Sequence, residues 1–265
     1  MADMAIGIDD FRRSIAPKYE PVLRAAKRCL TMAHEIYQKA PPDELSALVR
    51  SATITVTNSF QSVLLLTMNG CGSDALKITR SMFESSVVVG YLQKHPALFA
   101  DFVDYRWVKR HKAQEFLALY APDRFKAVDA AEIAKTVAEY ARVKSRFKGR
   151  SSWSDKSLRD MAVDIGIEQA YLAVYPFASS VHHLDVIGII AQEDQRIGDI
   201  EVLPSRANLD LALSIAGLSA YVALTSLDDA LGSGQSQALT DWFREYRSAL
   251  SQADAEKAET TTGAS

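Results

Sequence analysis

The stretch Ser73–Tyr91, SDALKITRSMFESSVVVGY, constrains this chain more than any other. Gly70 and Gly72 interrupt the apolar pattern before it, Ser73 stands in an N-cap position, and Asp74 complements the positive end of a helix dipole. Leu76, Arg80, Glu84, Val87 and Tyr91 then follow at steps of four or three, so the spacing sets them on one helical face. Ile78, Met82, Val89 and Leu92 form an apolar stripe beside it. A cation and an anion one turn apart thus fall in line with core residues. Three outcomes fit: an exposed pair contributing about 0.2–0.5 kcal/mol, a buried structural ion pair, or a functional site, because a buried charge is costly unless paired or used.

The flanks read as helix too. Phe11, Ile15, Val22, Ala26, Cys29, Met32, Ala33 and Ile36 recur near helical spacing over about 9–38, with Pro17 and Pro21 as sites of a break or kink. Asp43 opens a second helix that Asn69 and Gly70 stop. Its centre, TITVTNSF, favours strand on propensity alone, yet the helical flanks and the length of the apolar run overrule that. After a break at His95–Pro96 the pattern predicts helices over about 97–120, 122–147, a short one capped by Ser154, and 168–183 with a kink at Pro176. The basic run Arg142, Lys144, Arg146, Lys148 and Arg150 reads first as a solvated C-terminal turn.

Residues 186–205 are the least helical and permit an irregular loop or a short hairpin. Helices return over about 208–231 and 239–250, and 253–265 has the composition of a disordered tail. The fold expected is all-α: one multi-helix bundle over 1–252.

A net charge of −3 gives no sign of a phosphate-binding surface across the whole molecule, although local basic patches are allowed. Cys29 and Cys71 lie far apart without metal-ligand spacing, which fits a reducing compartment. The N-terminus carries acidic residues and no long apolar run, and no window of ~18 residues is free of polar interruption. A cytoplasmic protein with no membrane partner is therefore expected. Glu-x-x-His, His-Glu-x-x-His, Walker, Rossmann and Gly-x-Ser-x-Gly signatures are all absent, so no metal or cofactor is expected.

The second chemical stretch is Ser179-Ser180-Val181-His182-His183. Adjacent histidines on a helix point about 100° apart, and an interior histidine is commonly a hydrogen-bonded core residue. The functional reading sets His182 or His183 against Arg80 and Glu84: the carboxylate orients an imidazole, and the guanidinium supplies fixed charge for an anionic group. Tyr175 and Tyr105 are candidate supporting donors. Separately, Arg106-Trp-Val-Lys-Arg-His111 matches the Arg-x4-His spacing of the helical, metal-independent HEPN ribonucleases, with Trp107 where that family often has a polar residue.

Arg80-Ser-Met-Phe-Glu84, Tyr91-Leu92, the helix through Phe102 and Tyr105, Trp153 and the Ser-Ser-Val-His182 run together resemble an uncharacterised bacterial all-helical family. It is classified only as a domain of unknown function, with an Arg-x-x-x-Glu helix and a later Ser/His helix. The resemblance spans about Phe60–Leu227 and implies an all-helical fold, with Arg80, Glu84 and His182 considered together. It implies no established activity. His183 departs from the small residue such proteins often carry, so both histidines stay in view.

Three functions fit these residues. The first is a polar Arg/Glu/His site that binds, and as an enzyme would process, a small anionic or nucleotide-like group. The second is an RNA-cleaving protein of toxin or phage-defence type, and the third a non-catalytic interaction module. The amphipathic terminal helices also permit a homo-oligomer.

Overall fold

The computed structural model describes residues 2–39, 44–183, 193–194, 199–200, 204–206 and 208–262, with side chains for 8–39, 47–181, 204–206 and 208–253. The described chain gathers into two compact units, 1–94 with 161–265, and 95–160. Both are helical.

In the first unit α1 (Ala2–Tyr37), α2 (Glu44–Met68) and α3 (Gly72–Lys94) precede α8 (Glu168–His183), α9 (Leu209–Leu231) and α10 (Ser236–Thr262). The core is built on α9, which packs most heavily on α3 and α2, while α10 closes against α1 and α9. Leu209, Leu213, Ile215, Leu224 and Leu227 are almost fully buried, as are Ala212, Ala216, Gly217, Ala220 and Ala223 on the rest of the circumference. A helix buried on so much of its circumference needs neighbours on several sides. α9 has the length read from the sequence pattern, but it is also apolar enough to cross a membrane by length and composition, where no spanning helix was expected; 67 % of its most apolar window is buried inside the protein. A Cβ added at Gly217 would overlap the Tyr246 ring, whose hydroxyl donates to the Leu213 carbonyl at 2.9 Å. Only glycine lets α10 approach this closely.

The β-branched centre of α2 is helical, and the side chains show how. Thr53, Thr55 and Thr57 donate to the carbonyls of Val49, Ser51 and Thr53 at 2.8, 3.0 and 3.0 Å. For the buried Thr53 and Thr57 these i−4 bonds satisfy hydroxyls that would otherwise be unpaired in the core, while Thr55 is exposed. α1 likewise continues through Pro17 and Pro21 without ending.

The turn from α2 to α3 fixes where α3 begins. Gly70 has φ +74°, its N–H donates to Thr67, and the Cys71 N–H donates to Leu66, a Schellman closure. Gly70 accepts from the Ser205 N–H at 3.0 Å, and an added Cβ would lie 2.5 Å from Pro204. Helix α3 starts at Gly72, two residues earlier than Ser73 as cap requires. The Ala75 N–H donates to Cys71, and the Ser73 hydroxyl accepts from Asn208 at 3.1 Å.

In the second unit α4 (Phe99–Tyr120) follows a 3-10 turn, Pro96–Leu98, and is succeeded by α5 (Pro122–Lys126) and α6 (Ala130–Val143). α6 runs back along α4. Phe102 packs on Trp153 and Tyr105 on Phe147, edge to face, with centroids 5.2 Å apart in each pair. One continuous helix over 122–147 is not what forms. Asp129 caps a new helix by accepting from the Ala131 N–H at 3.0 Å, and the chain after Val143 is turn. Ser157, not Ser154, caps α7 (Leu158–Asp164): its hydroxyl accepts from the Asp160 N–H while the Asp160 carboxylate accepts back from the Ser157 N–H, both at 3.1 Å. The basic run is not simply solvated, because Arg142 and Arg146 form ion pairs with Asp104, and Arg146 also with Asp101.

Within 186–205 the strands β1 (Glu193–Asp194) and β2 (Asp199–Ile200) pair antiparallel, Glu193 opposite Ile200; most of that segment lies outside the described residues. α10 extends to Thr262, through the region whose composition reads as tail.

One buried charge ties α9 to α10. Asp228 accepts from the Ser233 hydroxyl, from the Gln235 N–H at 2.8 Å and from the Ser236 hydroxyl at 2.5 Å. Burial opposes its ionisation, but these donors outweigh burial and hold the carboxyl below the ordinary carboxylate value. A depressed folded-state value means that the stabilisation is complete above the unfolded-state value and is lost as pH falls through the folded one. Asp228→Asn is expected to lower stability at neutral pH by about 1.5–3 kcal/mol. In urea titrations the gap to the native protein should close in acid; a gap independent of pH would show that the charge plays no part.

Candidate functional site

Two helices of the first unit each present a pair one turn apart. On α3, the face of Ala75, Thr79, Met82, Ser86 and Val89 is committed to the core, together with Leu76, Phe83 and Val87. This leaves Arg80 and Glu84 at the margin, their side chains 19 % and 37 % exposed. Ile78, assigned by spacing to the inner stripe, is only half-buried. On α8, Val174, Ala178 and Val181 face inward, Pro176 is exposed, and Tyr171 and Tyr175 lie beside the inner stripe with rings stacked 4.9 Å apart at 15°. Pro176 removes one backbone donor, but the helix continues past it because the ring sits on the open side.

Helix α8 packs on α3, and the pairs meet. The Arg80 Nη2 lies 3.1 Å from both the Tyr175 hydroxyl and the Glu84 Oε1, and the Tyr175 hydroxyl donates to that same oxygen at 3.0 Å. The phenol accepts from the cation and donates to the anion, so both of its polar functions are used. Arg80 Cζ is 5.3 Å from the Tyr175 ring centroid, within cation–π range. Phe83, fully buried, approaches Tyr171 at 6.5 Å and backs this aromatic wall. The Tyr175 hydrogen bond, and then the Glu84 charge, hold Arg80 above the ordinary guanidinium value against the cost of burial. The Arg80 Nε is buried and has no hydrogen-bond partner among the described residues. An unmet donor on a charged group is costly, and a ligand or water acceptor would relieve it.

The exposed-pair and buried-pair alternatives are both too simple, because the pair is half-buried and shared with a third residue from another helix. Tyr175 joins Arg80 and Glu84. Helix α8 runs through His182 and His183, whose side chains lie outside the described residues. Tyr105 belongs to the second unit and is buried there, its hydroxyl donating to the Ser151 carbonyl at 2.8 Å. Tyr171 was missed by sequence reasoning. Its signal was the Tyr-x-x-x-Tyr spacing, which repeats on α8 the interval of Arg-x-x-x-Glu on α3.

Arg106 and His111 do not form a pair. Five residues place them about 140° apart on a helix. Arg106 is exposed with its guanidinium 4.9 Å from the Trp107 ring centroid, while His111 stacks on Tyr140 at 3.9 Å with Nδ1 3.4 Å from Glu115. Among the described residues no three His, Cys, Asp or Glu side chains converge as a metal site.

The triangle yields a direct test. Tyr175→Phe removes the bridging hydroxyl and should cost about 1 kcal/mol. In a double-mutant cycle with Glu84→Gln, urea denaturation should give a coupling energy of at least about 0.5 kcal/mol. Additive energies would show that the hydroxyl bridges nothing in solution.

No curated protein and no solved structure matches the chain. One family model matches residues 46–196, from the start of α2 through β1, so the match begins before and ends short of the 60–227 span read from the motifs. Arg80, Glu84, Tyr171 and Tyr175 all fall within it, as do His182 and His183. The chain belongs to DUF5677, a family of unknown function.

Proposed function

We propose that this protein binds a small anionic or nucleotide-like group at the polar site between α3 and α8. The observation that carries the reading is the Nε of Arg80, a buried donor without a partner among the described residues, on a group whose charge is held on by its neighbours. A guanidinium offers two donor edges. Here Nη2 is engaged with Tyr175 and Glu84, which fixes the plane of the group, and an anion accepting from Nε would satisfy the donor left open. Glu84 would then limit how much negative charge the site accepts and would accept hydrogen bonds from a sugar hydroxyl or an amino group. Tyr171 and Tyr175 would offer apolar ring surface to a base or other flat group. His182 stands seven residues after Tyr175, on the same helical stripe by spacing, and His183 is rotated from it. His182 is therefore the better-placed acid–base partner if the group is processed.

Thermal-shift measurements with inorganic phosphate and a panel of nucleoside monophosphates test the reading. A ligand at a hundred times its Kd should stabilise the native protein by about 2.7 kcal/mol. The shift should disappear in Arg80→Gln and shrink in Tyr175→Phe. No shift with any probe, or a shift that Arg80→Gln retains, would overturn the proposal.

A further inference from the structure

We infer that the solvent face of α4 is a binding surface for single-stranded nucleic acid, a role independent of the α3–α8 site. The second unit, residues 95–160, holds fourteen Lys and Arg against nine Asp and Glu, a net charge of +5, although the whole chain is −3. The acids are largely engaged: Asp101 and Asp104 with Arg142 and Arg146, Glu132 with Arg110, Asp123 with Lys126, Asp129 and Asp160 as helix caps. What remains unanswered is positive.

That charge is concentrated. Arg106, Lys109 and Arg110 stand at i, i+3 and i+4 on α4, all exposed. Arg106 Cζ, Arg110 Cζ and, from α6, Lys135 Nζ lie 4.9, 5.3 and 5.9 Å from the centroid of one indole, Trp107, and Lys109 Nζ lies 5.6 Å from the Tyr105 ring. Arg106, Lys109 and Lys135 have no acidic partner among the described residues. The buried rings beneath attract these cations and hold them together; Arg110 is engaged by Glu132, while the Arg106 guanidinium and the Lys109 and Lys135 ammonium groups remain available to phosphate oxygens. Like charges held this close repel one another unless an anion sits among them.

Farther along the same face are Phe116 and Tyr120, 63 % and 68 % exposed, with ring centroids 4.6 Å apart, and Leu119 flanks them at 71 %. Ten residues separate Arg106 from Phe116, about 15 Å along the helix at 1.5 Å per residue. A line of cations that continues into exposed rings suits a strand whose phosphates meet the first and whose unpaired bases stack on the second. A duplex buries its base faces and has no use for the rings. Glu132 at this face is already engaged by Arg110, so a second copy docking through it would leave Arg106, Lys109 and Lys135 unanswered, and a lipid surface calls for an apolar stripe along the helix rather than at one end.

Fluorescence anisotropy with a fluorescein-labelled single-stranded RNA and the DNA of the same sequence tests this on the full chain. The native protein should bind and should weaken as salt is raised. Arg106→Ala with Lys109→Ala should reduce affinity on the order of tenfold and lower the salt slope by about 1.4, at ~0.7 per phosphate contact. Phe116→Ala with Tyr120→Ala should also weaken binding on the order of tenfold, through lost stacking, but leave the salt slope unchanged. Arg80→Gln should bind the oligonucleotides normally, which separates this outcome from failure of the α3–α8 proposal. The RNA and DNA arms reveal whether the 2′-hydroxyl contributes. Absence of binding at low salt, equal binding by both double variants, binding only to anionic vesicles, or self-association that Phe116→Ser abolishes without any effect of oligonucleotide would each overturn the inference.

Discussion

The burial of α9 is the constraint on which the first unit depends. An isolated helix of this composition would expose apolar surface on nearly every side, and burying each large aliphatic side chain is worth about 1.5–3 kcal/mol. The solution is a helix whose alanines, serines and one glycine admit its neighbours closely, while its leucines fill the spaces between them. α2 can serve as one of those neighbours despite its threonines because their hydroxyls are returned to its own backbone, and Thr53 also lies 3.4 Å from the Ala223 carbonyl of α9. The closure by α10 relies on ring-to-backbone approach at Gly217, on the Trp242 indole donating to the Ala25 carbonyl at 2.7 Å, and on the caps gathered by Asp228.

This packing decides where chemistry can occur. Because α3 is the most extensive neighbour of α9, its inner face is filled by small and apolar residues and has no room for a charge. Arg80 and Glu84 are displaced to the flank, where α8 covers them partly. A charged pair on a rigid helix, covered by a second helix that contributes a hydroxyl, is held in one geometry without a flexible loop. That is the arrangement a preorganised binding group needs. The same rigidity would also serve a purely structural contact; the Arg80 Nε, unmet among the described residues, is the feature that supports the proposed binding role.

Much of the fold was legible in the sequence because it rests on apolar spacing. The helices over 168–183 and 209–231, the stop at Gly70 and the break at His95–Pro96 follow from periodicity and from glycine and proline punctuation. What escaped depended on local competition or on distance. Asp129 divides 122–147 because its carboxylate meets the Ala131 N–H, and Asp129-x-x-Glu132 was a signal that a longer apolar pattern obscured. Ser157 prevailed over Ser154 as a cap because Asp160 completes the reciprocal bond. The partners of Arg142 and Arg146 stand some forty residues earlier, and nothing along the chain pairs them. In the candidate site the Arg80–Glu84 interval was local and readable. That Tyr175 bridges them and Tyr171 supports it depends on how α8 docks, which spacing alone does not determine.

Charge is distributed between the two units in a way that bears on both proposed ligands. With fourteen of the thirty cations in residues 95–160, the remainder of the chain carries sixteen Lys and Arg against twenty-four Asp and Glu, a net charge of −8. An anion approaching Arg80 is thus opposed by the field of its own unit and can be held only by contacts at short range. Salt would screen that opposition beyond a Debye length of about 8–10 Å while leaving the half-buried contacts largely intact. A strand on α4 meets the opposite condition, because its phosphates are drawn by an excess of cations that salt screens and whose counterions compete. A small anion at α3–α8 should therefore bind as well or better when salt is raised, while a nucleic acid on α4 is released. The two modes of anion recognition can be separated in one protein by ionic strength alone.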